Sequence, residues 1–248
     1  MRLRGLCDLP EFETIDAALG IECRRVLVHG RSAENESFGF RALPRQIEPL
    51  YRAGMTLYLV GIVSASPTLG EWVDALHSEF RLPQKTVTPR LLASRKGGGM
   101  HMHFDPSEGF IVQVKGRKVW RLAPNRDIAY PPVGHVAGQP LPSELAELVP
   151  GGLPHELPGD TETVEMRPGS VLFLPRGWWH ETETLEDSLH LDLTMELPTW
   201  EQRARNEISG VLRRHDRWRA PAVGSWPEMR AQLLKDLSRP RAKAKRRR

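Results

Sequence analysis

The feature that most constrains the fold is a change in sequence pattern near Thr86, in a chain of 248 residues. Downstream of this point, short apolar and β-branched runs are separated by Gly and Pro. The predicted strands are residues 88–93, 109–114, 118–122, 163–166, 170–174 and 189–195. Several short strands with turn signals between them are typical of a β-sandwich or barrel. We therefore predict a mainly β protein with flanking helices and a core over residues 86–198.

Upstream of the core, residues 1–85 are predicted to be short α and β elements that pack on it. Residues 57–63 are apolar and predict a buried strand. Residues 67–80 have apolar positions at helical spacing, with Ser66 or Thr68 as the candidate N-cap.

Two further segments surround the core. Residues 127–160 are rich in Pro and Gly and predict a long insertion with a short helix near 142–148. Because long loops in compact domains are usually lids or disordered, we expect one of the two here. Residues 199–238 become helical again, with an amphipathic stretch at 200–215 and a second helix starting near Pro227. We expect these helices to cover the barrel or to form a homodimer contact.

The net charge of +4 depends on the last ten residues, 239–248, which read RPRAKAKRRR. They carry seven basic residues and no acidic one, so the rest of the chain has a net charge of −3. Such a block is expected to be disordered and could hold RNA or place the protein near the ribosome. The alternative is a solvated tail that only improves solubility.

Targeting signals are not evident in the sequence. No apolar run approaches the ~20 residues that a membrane span needs, and the first residues lack the apolar stretch of a secretory signal. The cysteines, Cys7 and Cys23, do not suggest a disulfide framework or a metal pair. We therefore expect a cytoplasmic protein without a membrane partner.

A metal-ligand pattern is split between two remote stretches of the chain. His103 and Asp105 are two residues apart, so on a strand both side chains point to the same face. His180 follows a Pro-Arg-Gly corner after an apolar strand and could reach the same ion in a barrel. Two imidazoles and one carboxylate suit a ferrous ion and leave three coordination positions open. The predicted metal-binding and catalytic residues are therefore His103, Asp105 and His180.

A second ligand set competes with this one. His101 lies on the same face as His103, and Glu108 follows closely, so His101, His103, Glu108 and His180 could form a three-histidine, one-glutamate site. We favour the first set and expect His101 to lie behind the ligands or to face the substrate.

Two segments resemble the JmjC-type cupin oxygenases, which depend on iron(II) and 2-oxoglutarate. Residues 103–125 read HFDPSEGFIVQVKGRKVWRLAPN, and residues 168–198 read PGSVLFLPRGWWHETETLEDSLHLDLTMELP. The resemblance covers residues 86–198 and is greatest to the ribosomal oxygenases and to the asparaginyl hydroxylase of the hypoxia factor. It implies a double-stranded β-helix core, also called a cupin or jelly roll, and the cofactors Fe(II) and 2-oxoglutarate.

The resemblance also implies where 2-oxoglutarate binds. The family holds the distal carboxylate with a Lys or Arg on the strand after the HxD motif, and the matching residue is Lys118. A cation is also what a dianionic ligand requires. The strand before the motif carries Arg90 and Ser94 where the family has other polar residues, and we expect both to contact the co-substrate.

The last core strand carries three alternating polar residues, His190, Asp192 and Thr194, which would all point inward. They could line the pocket, with Thr194 as a further co-substrate contact, or form a satisfied structural network. Trp178 and Trp179 would shield or present the substrate.

The resemblance implies a hydroxylase that acts on a protein or peptide side chain, with a ribosomal protein as one candidate substrate. The alternatives are an oxygenase that tailors a small natural product or peptide, a metal-binding cupin without activity, and a scaffold tethered to RNA through residues 239–248.

Overall fold

The computed structural model describes residues 3–31, 37–223 and 225–238. The chain divides into two compact units, Met1–Leu197 and Pro198–Arg248. Every strand of the described ranges lies in the first unit, and the described part of the second unit contains only helices and their connections. The predicted basic tail, residues 239–248, lies outside the described residues.

The strands form two antiparallel sheets. In chain order they are β1 (Arg25–Arg31), β2 (Ser37–Ala42), β3 (Thr56–Val60), β4 (Val87–Ser94), β5 (Gly99–Phe104), β6 (Glu108–Lys115), β7 (Lys118–Ala123), β8 (His135–Val136), β9 (Glu162–Met166), β10 (Val171–Leu174), β11 (Trp179–Thr184) and β12 (Ser188–Met195). A seven-stranded sheet has the order β10-β6-β12-β4-β3-β1-β2, and a five-stranded sheet has the order β8-β5-β11-β7-β9. The prediction of a mainly β, jelly-roll core is confirmed.

The helices of the first unit are short apart from one. They are α1 (Ile15–Leu19), α2 (Ile47–Arg52), α3 (Pro67–Glu79) and α4 (Ser143–Ala146). Those of the second unit are α5 (Trp200–Leu212), α6 (Asp216–Arg219) and α7 (Trp226–Ser238). Helix α3 is capped by Ser66, whose hydroxyl accepts from the Leu69 amide at 3.2 Å, and Pro67 occupies its first position.

The strand predicted over residues 57–63 is shorter than expected because it ends at Val60. Gly61 has a φ of +82°, and a Cβ at this position would lie 2.8 Å from the Cβ of Arg24. This left-handed backbone conformation, which favours glycine, turns the chain into a 3-10 turn at Ile62–Ala65.

The outer face of the seven-stranded sheet carries the main hydrophobic core. Strand β12 shows the pattern most clearly, because Leu189, Leu191 and Leu193 are each fully buried in this core. Leu69 and Leu76 of α3 belong to the same cluster. Since side chains alternate along a strand, the residues between these leucines point to the opposite face, toward the inside of the barrel.

The outer face of the five-stranded sheet is covered by the insertion. Leu145 of α4 is fully buried, and it clusters with Met102 and Phe104 of β5 and with Trp179 of β11. The predicted insertion is therefore packed and not disordered, and its predicted short helix is found as α4. The insertion buries apolar side chains against the back of the strands that carry the histidines of the predicted metal site.

The inside of the barrel has an apolar part and a polar part. Ile111, Trp120, Leu122, Met166 and Leu174 form a small apolar cluster between the sheets. Beyond Trp120 the interior residues become polar, and this change marks the pocket described below.

The second unit is held together partly by a polar contact. The indole of Trp218 donates to Asp236 at 2.9 Å, which links α6 to α7. Ile208 and Leu212 line an open groove of about 630 Å³ beside Trp218. No helix in the described ranges is long and apolar enough to cross a bilayer.

Candidate metal centre and co-substrate pocket

The three predicted metal ligands meet in the barrel. Strands β5 and β11 are antiparallel neighbours, and their register pairs His103 with His180. Asp105 follows directly after β5. One ligand atom from each of the three residues lies within 4.8 Å of the others, and the two imidazole centroids are 4.0 Å apart. The sequence prediction of this cluster therefore agrees with the geometry.

Backbone hydrogen bonds orient both imidazole rings. Nδ1 of His103 donates to the carbonyl of His101 at 2.6 Å, and Nδ1 of His180 donates to the carbonyl of Trp178 at 3.0 Å. A carbonyl can only accept, so the hydrogen of each neutral ring lies on Nδ1 and the Nε2 lone pair is left for a metal. Outer bonds of this kind fix the tautomer and the direction of metal-binding histidines.

The corner before β11 ties the two ligand stretches together. The amide of Gly177 donates to the carbonyl of Asp105 at 2.9 Å. Gly177 has a φ of +77°, and a Cβ here would come within 2.5 Å of Pro131. Arg176 donates to Glu108 at 2.9 Å and to the carbonyl of Leu197 at 3.0 Å. The Pro-Arg-Gly sequence thus fixes the backbone on either side of the ligands.

The cluster is buried on one side and open on the other. His180 is almost fully buried, whereas the side chain of Asp105 is 49% exposed. Burial lowers the pKa of His180, and the neighbouring His103 lowers it further, against the opposing effect of the Asp105 carboxylate. A neutral imidazole is the form that binds a metal, so His180 is already in the required protonation state.

The competing ligand set is not assembled. Glu108 forms an ion pair with Arg176. Among the described residues, the cluster with metal-binding geometry contains neither Glu108 nor His101.

Lys118 lies in the barrel interior, as its position on the predicted strand indicated. It is 1% exposed, and its ammonium nitrogen donates to Ser94 Oγ at 3.1 Å, which joins β7 to β4 across the barrel. Burial lowers the pKa of Lys118 to about 7. An amine in such surroundings gains strongly from an anionic partner, because the partner offsets the lost hydration.

Several buried polar atoms near Lys118 have no hydrogen-bond partner within the described structure. They are the indole nitrogen of Trp120, the hydroxyl of Thr184, the amide oxygen of Gln113 and both ring nitrogens of His190. Thr184 pairs with Lys118 in the sheet, and Trp120 is two residues along the same strand. Buried polar atoms normally have partners, so this concentration fits a polar ligand such as a carboxylate.

The other two predicted co-substrate residues lie farther along the interior. Arg90 is four residues before Ser94 on β4, or about 13 Å along the strand. Its guanidinium donates to Glu196 at 3.0 Å. The hydroxyl of Thr194 donates to Asp192 at 3.0 Å. Both side chains thus have other hydrogen-bond partners in this structure. Their predicted contacts with the co-substrate remain predictions.

Asp192 adds a carboxyl group to the pocket between these residues. It lies opposite Arg90 in the register of β12 and β4. Burial raises the pKa of Asp192 to about 7, although Arg90 and the Thr194 hydroxyl lower it. Alternation along the strand predicted that Asp192 points into the interior, but did not predict its role.

Two aromatic residues of the pocket, Tyr58 and His29, were not predicted from the sequence. Tyr58 of β3 alternates with the buried Leu57 and Leu59, so it points inward, and its ring centroid lies 4.9 Å from that of His29 on β1. Burial raises the pKa of Tyr58, with smaller contributions from Asp105 and Asp192. The available signal was a tyrosine that interrupts an apolar strand, but its proximity to Asp105 depends on sheet order.

The expectation for Trp179 is wrong. Trp179 is 1% exposed and packs edge-on against Phe104 at 4.7 Å, on the outer face of the sheet. Because it precedes His180 on the same strand, alternation sends the two side chains to opposite faces. Trp178 packs partly buried against the apolar cluster inside the barrel.

A family model for the JmjC domain matches residues 73–203. The chain belongs to the JmjC-domain family. This JmjC protein is 32% identical over 202 residues to YxbC of Bacillus subtilis, an uncharacterised protein, and the match covers 77% of this chain and 61% of YxbC. It is 31% identical over 165 residues to ribosomal oxygenase 1 of Rattus norvegicus, covering 64% of this chain and 25% of the rat protein.

The JmjC fold is also found in solved structures of Escherichia coli YcfD. One matches with a TM-score of 0.58 and 20% identity, covering 92% of this chain and 61% of YcfD. The YcfD ribosomal oxygenase in complex with cobalt and 2-oxoglutarate matches with a TM-score of 0.55 and 18% identity, covering 90% and 58%. The chain thus spans about three fifths of YxbC and YcfD and a quarter of the rat protein.

Proposed function

We propose that this JmjC protein is an Fe(II)- and 2-oxoglutarate-dependent hydroxylase that acts on a side chain of a protein or peptide. The observation that carries the proposal is the joint presence of the His103, Asp105 and His180 cluster and the buried Lys118 in one barrel. The cobalt and 2-oxoglutarate bound to YcfD and the names of the ribosomal oxygenase relatives support it.

The ligand set favours iron in the ferrous state. Two neutral imidazoles and a carboxylate on one face are the donors of non-haem iron oxygenases. Nε2 of His103, Nε2 of His180 and a carboxylate oxygen of Asp105 would hold the ion. Iron with 2-oxoglutarate would activate dioxygen, so that one oxygen atom enters a C–H bond of the substrate while 2-oxoglutarate becomes succinate and CO2.

The residues of the chain orient and select the reactants. Lys118, held by Ser94, would bind the distal carboxylate by a charge-assisted hydrogen bond. Trp120 packs its ring against that of His180, with centroids 5.9 Å apart. It would separate this metal-binding histidine from the apolar interior. A dry wall on this side strengthens the electrostatic contacts of the pocket.

The substrate would approach from the side of Asp105, the more exposed of the three ligands. Tyr58 and His29, both partly exposed, lie on this side and are close enough to Asp105 for its charge to affect their pKa values. An open side of this kind favours a side chain presented by a larger molecule over a small molecule that must be enclosed. A ribosomal protein is the preferred substrate, because of the names of the relatives and the basic segment 239–248.

The first test is succinate formation from 2-oxoglutarate by the purified protein with Fe(II), measured together with oxygen incorporation into cell-extract proteins by mass spectrometry. Wild type should form succinate in proportion to hydroxylated product. His103→Ala should lose at least ~100-fold in activity, because one ligand is gone.

His101→Ala is the matched control. The backbone carbonyl that orients His103 remains in this variant, so it should bind iron like wild type. Loss of iron in His101→Ala would instead support the competing ligand set. Absence of 2-oxoglutarate turnover with protein, peptide and small-molecule fractions would favour a metal-binding cupin without activity.

A further inference from the structure

The surroundings of His190 do not explain why a histidine occupies this position. The side chain is 2% exposed, and neither ring nitrogen has a hydrogen-bond partner within the described structure. Its ring packs edge-on against Trp120, with centroids 5.7 Å apart. An apolar ring could make the same contact without leaving two buried polar atoms unsatisfied, which is costly.

His190 lies at the same place in the barrel as Lys118. Ser94, which accepts from Lys118, pairs with Ser188 in the register of β4 and β12, and His190 is two residues farther along the inner face of β12. Trp120 is likewise two residues from Lys118 on β7. The two nitrogen-bearing side chains therefore line one space from opposite sheets.

The chemistry of this space favours an anion that accepts hydrogen bonds. An ammonium group and an imidazole N–H are both donors. Burial lowers the pKa of His190 and the positive charge of Lys118 lowers it further, so in the free protein the imidazole is neutral and offers one N–H. A carboxylate has two oxygens and can accept from both side chains at once.

We propose that His190 is a second binding residue for 2-oxoglutarate, and that it donates an N–H hydrogen bond to the distal carboxylate beside Lys118. This inference rests on the proposed function. It assigns to His190 a share of the affinity and of the selection for a dicarboxylic over a monocarboxylic 2-oxo acid.

The test is anaerobic binding of 2-oxoglutarate to the 248-residue chain loaded with Fe(II), measured by calorimetry and by the visible absorbance that the ligand induces. We expect His190→Leu to weaken 2-oxoglutarate binding by about 10- to 100-fold, the usual effect of a hydrogen bond to a charged group. His190→Asn, which keeps an N–H donor, should recover part of the loss. Iron affinity should be unchanged in both variants.

A second ligand separates the contribution of the distal carboxylate from that of the metal-chelating group. 2-Oxopentanoate keeps the 2-oxo acid that chelates a metal but lacks the distal carboxylate. His190→Leu should bind this ligand as weakly as wild type does. An equal loss for both ligands would show that His190 supports the pocket only structurally, and unchanged binding of 2-oxoglutarate would overturn the inference directly.

His135 provides a matched control. It is also buried, at 8% exposure, and its ring also lies edge-on to a tryptophan, with centroids 6.3 Å from Trp179. His135→Leu should leave the affinity for 2-oxoglutarate unchanged. If it weakens binding as much as His190→Leu does, the effect is one of general packing and the inference is wrong.

A measurement on the unmodified sequence covers the case in which His190→Leu does not fold. Histidine labelled with ¹⁵N in the ring, in protein loaded with Zn(II), should show one buried imidazole whose N–H signal shifts when 2-oxoglutarate is added but not when 2-oxopentanoate is added. The absence of such a signal would overturn the role of His190. If wild type binds no 2-oxoglutarate at all, the proposed function itself fails.

Discussion

At the scale of single residues, the burial of the Lys118 amine is the feature with the clearest energetic cost. A buried amine loses its hydration, and the compensation it finds in the described structure is one hydroxyl, that of Ser94. The free protein therefore carries a cost that an anionic ligand removes. Removal of the amine should therefore weaken the binding of an anionic ligand and, at the same time, stabilise the free protein.

The first prediction concerns binding. Lys118→Met keeps most of the volume of the side chain and removes the charge, so the affinity for 2-oxoglutarate should fall by at least ~100-fold. Iron binding should remain, because Lys118 is not among the three clustered ligands. Anaerobic calorimetry with Fe(II) and 2-oxoglutarate provides the measurement, and affinity within a few-fold of wild type would contradict the assignment.

The second prediction concerns pH. The pKa of Lys118 is lowered to about 7 in the folded protein and lies near 10.4 in an unfolded chain. Between these values the unfolded state binds more protons, so the free energy of unfolding should rise with pH from about 7 to 10, by up to ~1.4 kcal/mol per pH unit from this group.

Lys118→Met should lack that rise, and the difference between the two proteins in urea unfolding isolates the contribution of the lysine. A saturating concentration of 2-oxoglutarate should also abolish the rise in the wild type, because the ligand keeps the amine charged in the folded state as it is in the unfolded state. Parallel pH profiles for wild type and variant without ligand would mean that Lys118 remains hydrated.

At the scale of the elements, alternation along the strands predicted much of the site. It placed His103 and Asp105 on one face of a strand, and in the structure both belong to the metal cluster. Alternation also explains why Arg117 and Arg121, on the opposite face from Lys118, form surface ion pairs with glutamates. The predicted strands and helix α3 agree closely with those found. Local periodicity is sufficient for these features because it fixes which face of each element is buried.

The order of the strands in each sheet could not be predicted from the sequence. Tyr58 and His29 reach the site because β3 lies between β4 and β1 in the seven-stranded sheet, and such long-range pairing leaves no local pattern. The packing of the insertion on the five-stranded sheet could not be predicted for a related reason. Its composition is that of a loop, but its few apolar residues find a sheet face to cover, which only the packed structure reveals.

The third prediction follows from the insertion. Leu145 is fully buried while Leu148, three residues along the chain, is 56% exposed. Leu145→Ala should therefore lower the free energy of unfolding by about 2–4 kcal/mol, whereas Leu148→Ala should change it by less than ~0.5 kcal/mol. Chemical denaturation of the two variants is the measurement. Equal, small effects would mean that the insertion is not part of the cooperative fold.

At the scale of the whole molecule, charge is unevenly distributed along the chain. Seven basic residues at 239–248 change the net charge from −3 to +4. Binding of a basic segment to a nucleic acid depends on the release of counterions and therefore falls steeply with salt. The segment would bring the protein close to an RNA-rich target without selecting the atom to be hydroxylated.

The fourth prediction separates these two tasks. Removal of residues 239–248 should weaken RNA binding and flatten its dependence on salt, as measured by fluorescence anisotropy between 50 and ~300 mM salt. Turnover of a short peptide substrate should be unchanged, since the metal cluster and Lys118 lie in the other unit. Loss of peptide turnover would instead favour the view that the basic segment is part of the functional machinery.

The two faces of β12 have a consequence for how this protein can change over evolutionary time. The leucines at 189, 191 and 193 belong to the main core, and the intervening His190, Asp192 and Thr194 face the pocket. Mutation can therefore revise the second set while leaving the first untouched. A library randomised at positions 190, 192 and 194 should yield a large share of well-folded members with new ligand preferences. This single strand is therefore a suitable starting point for directed evolution.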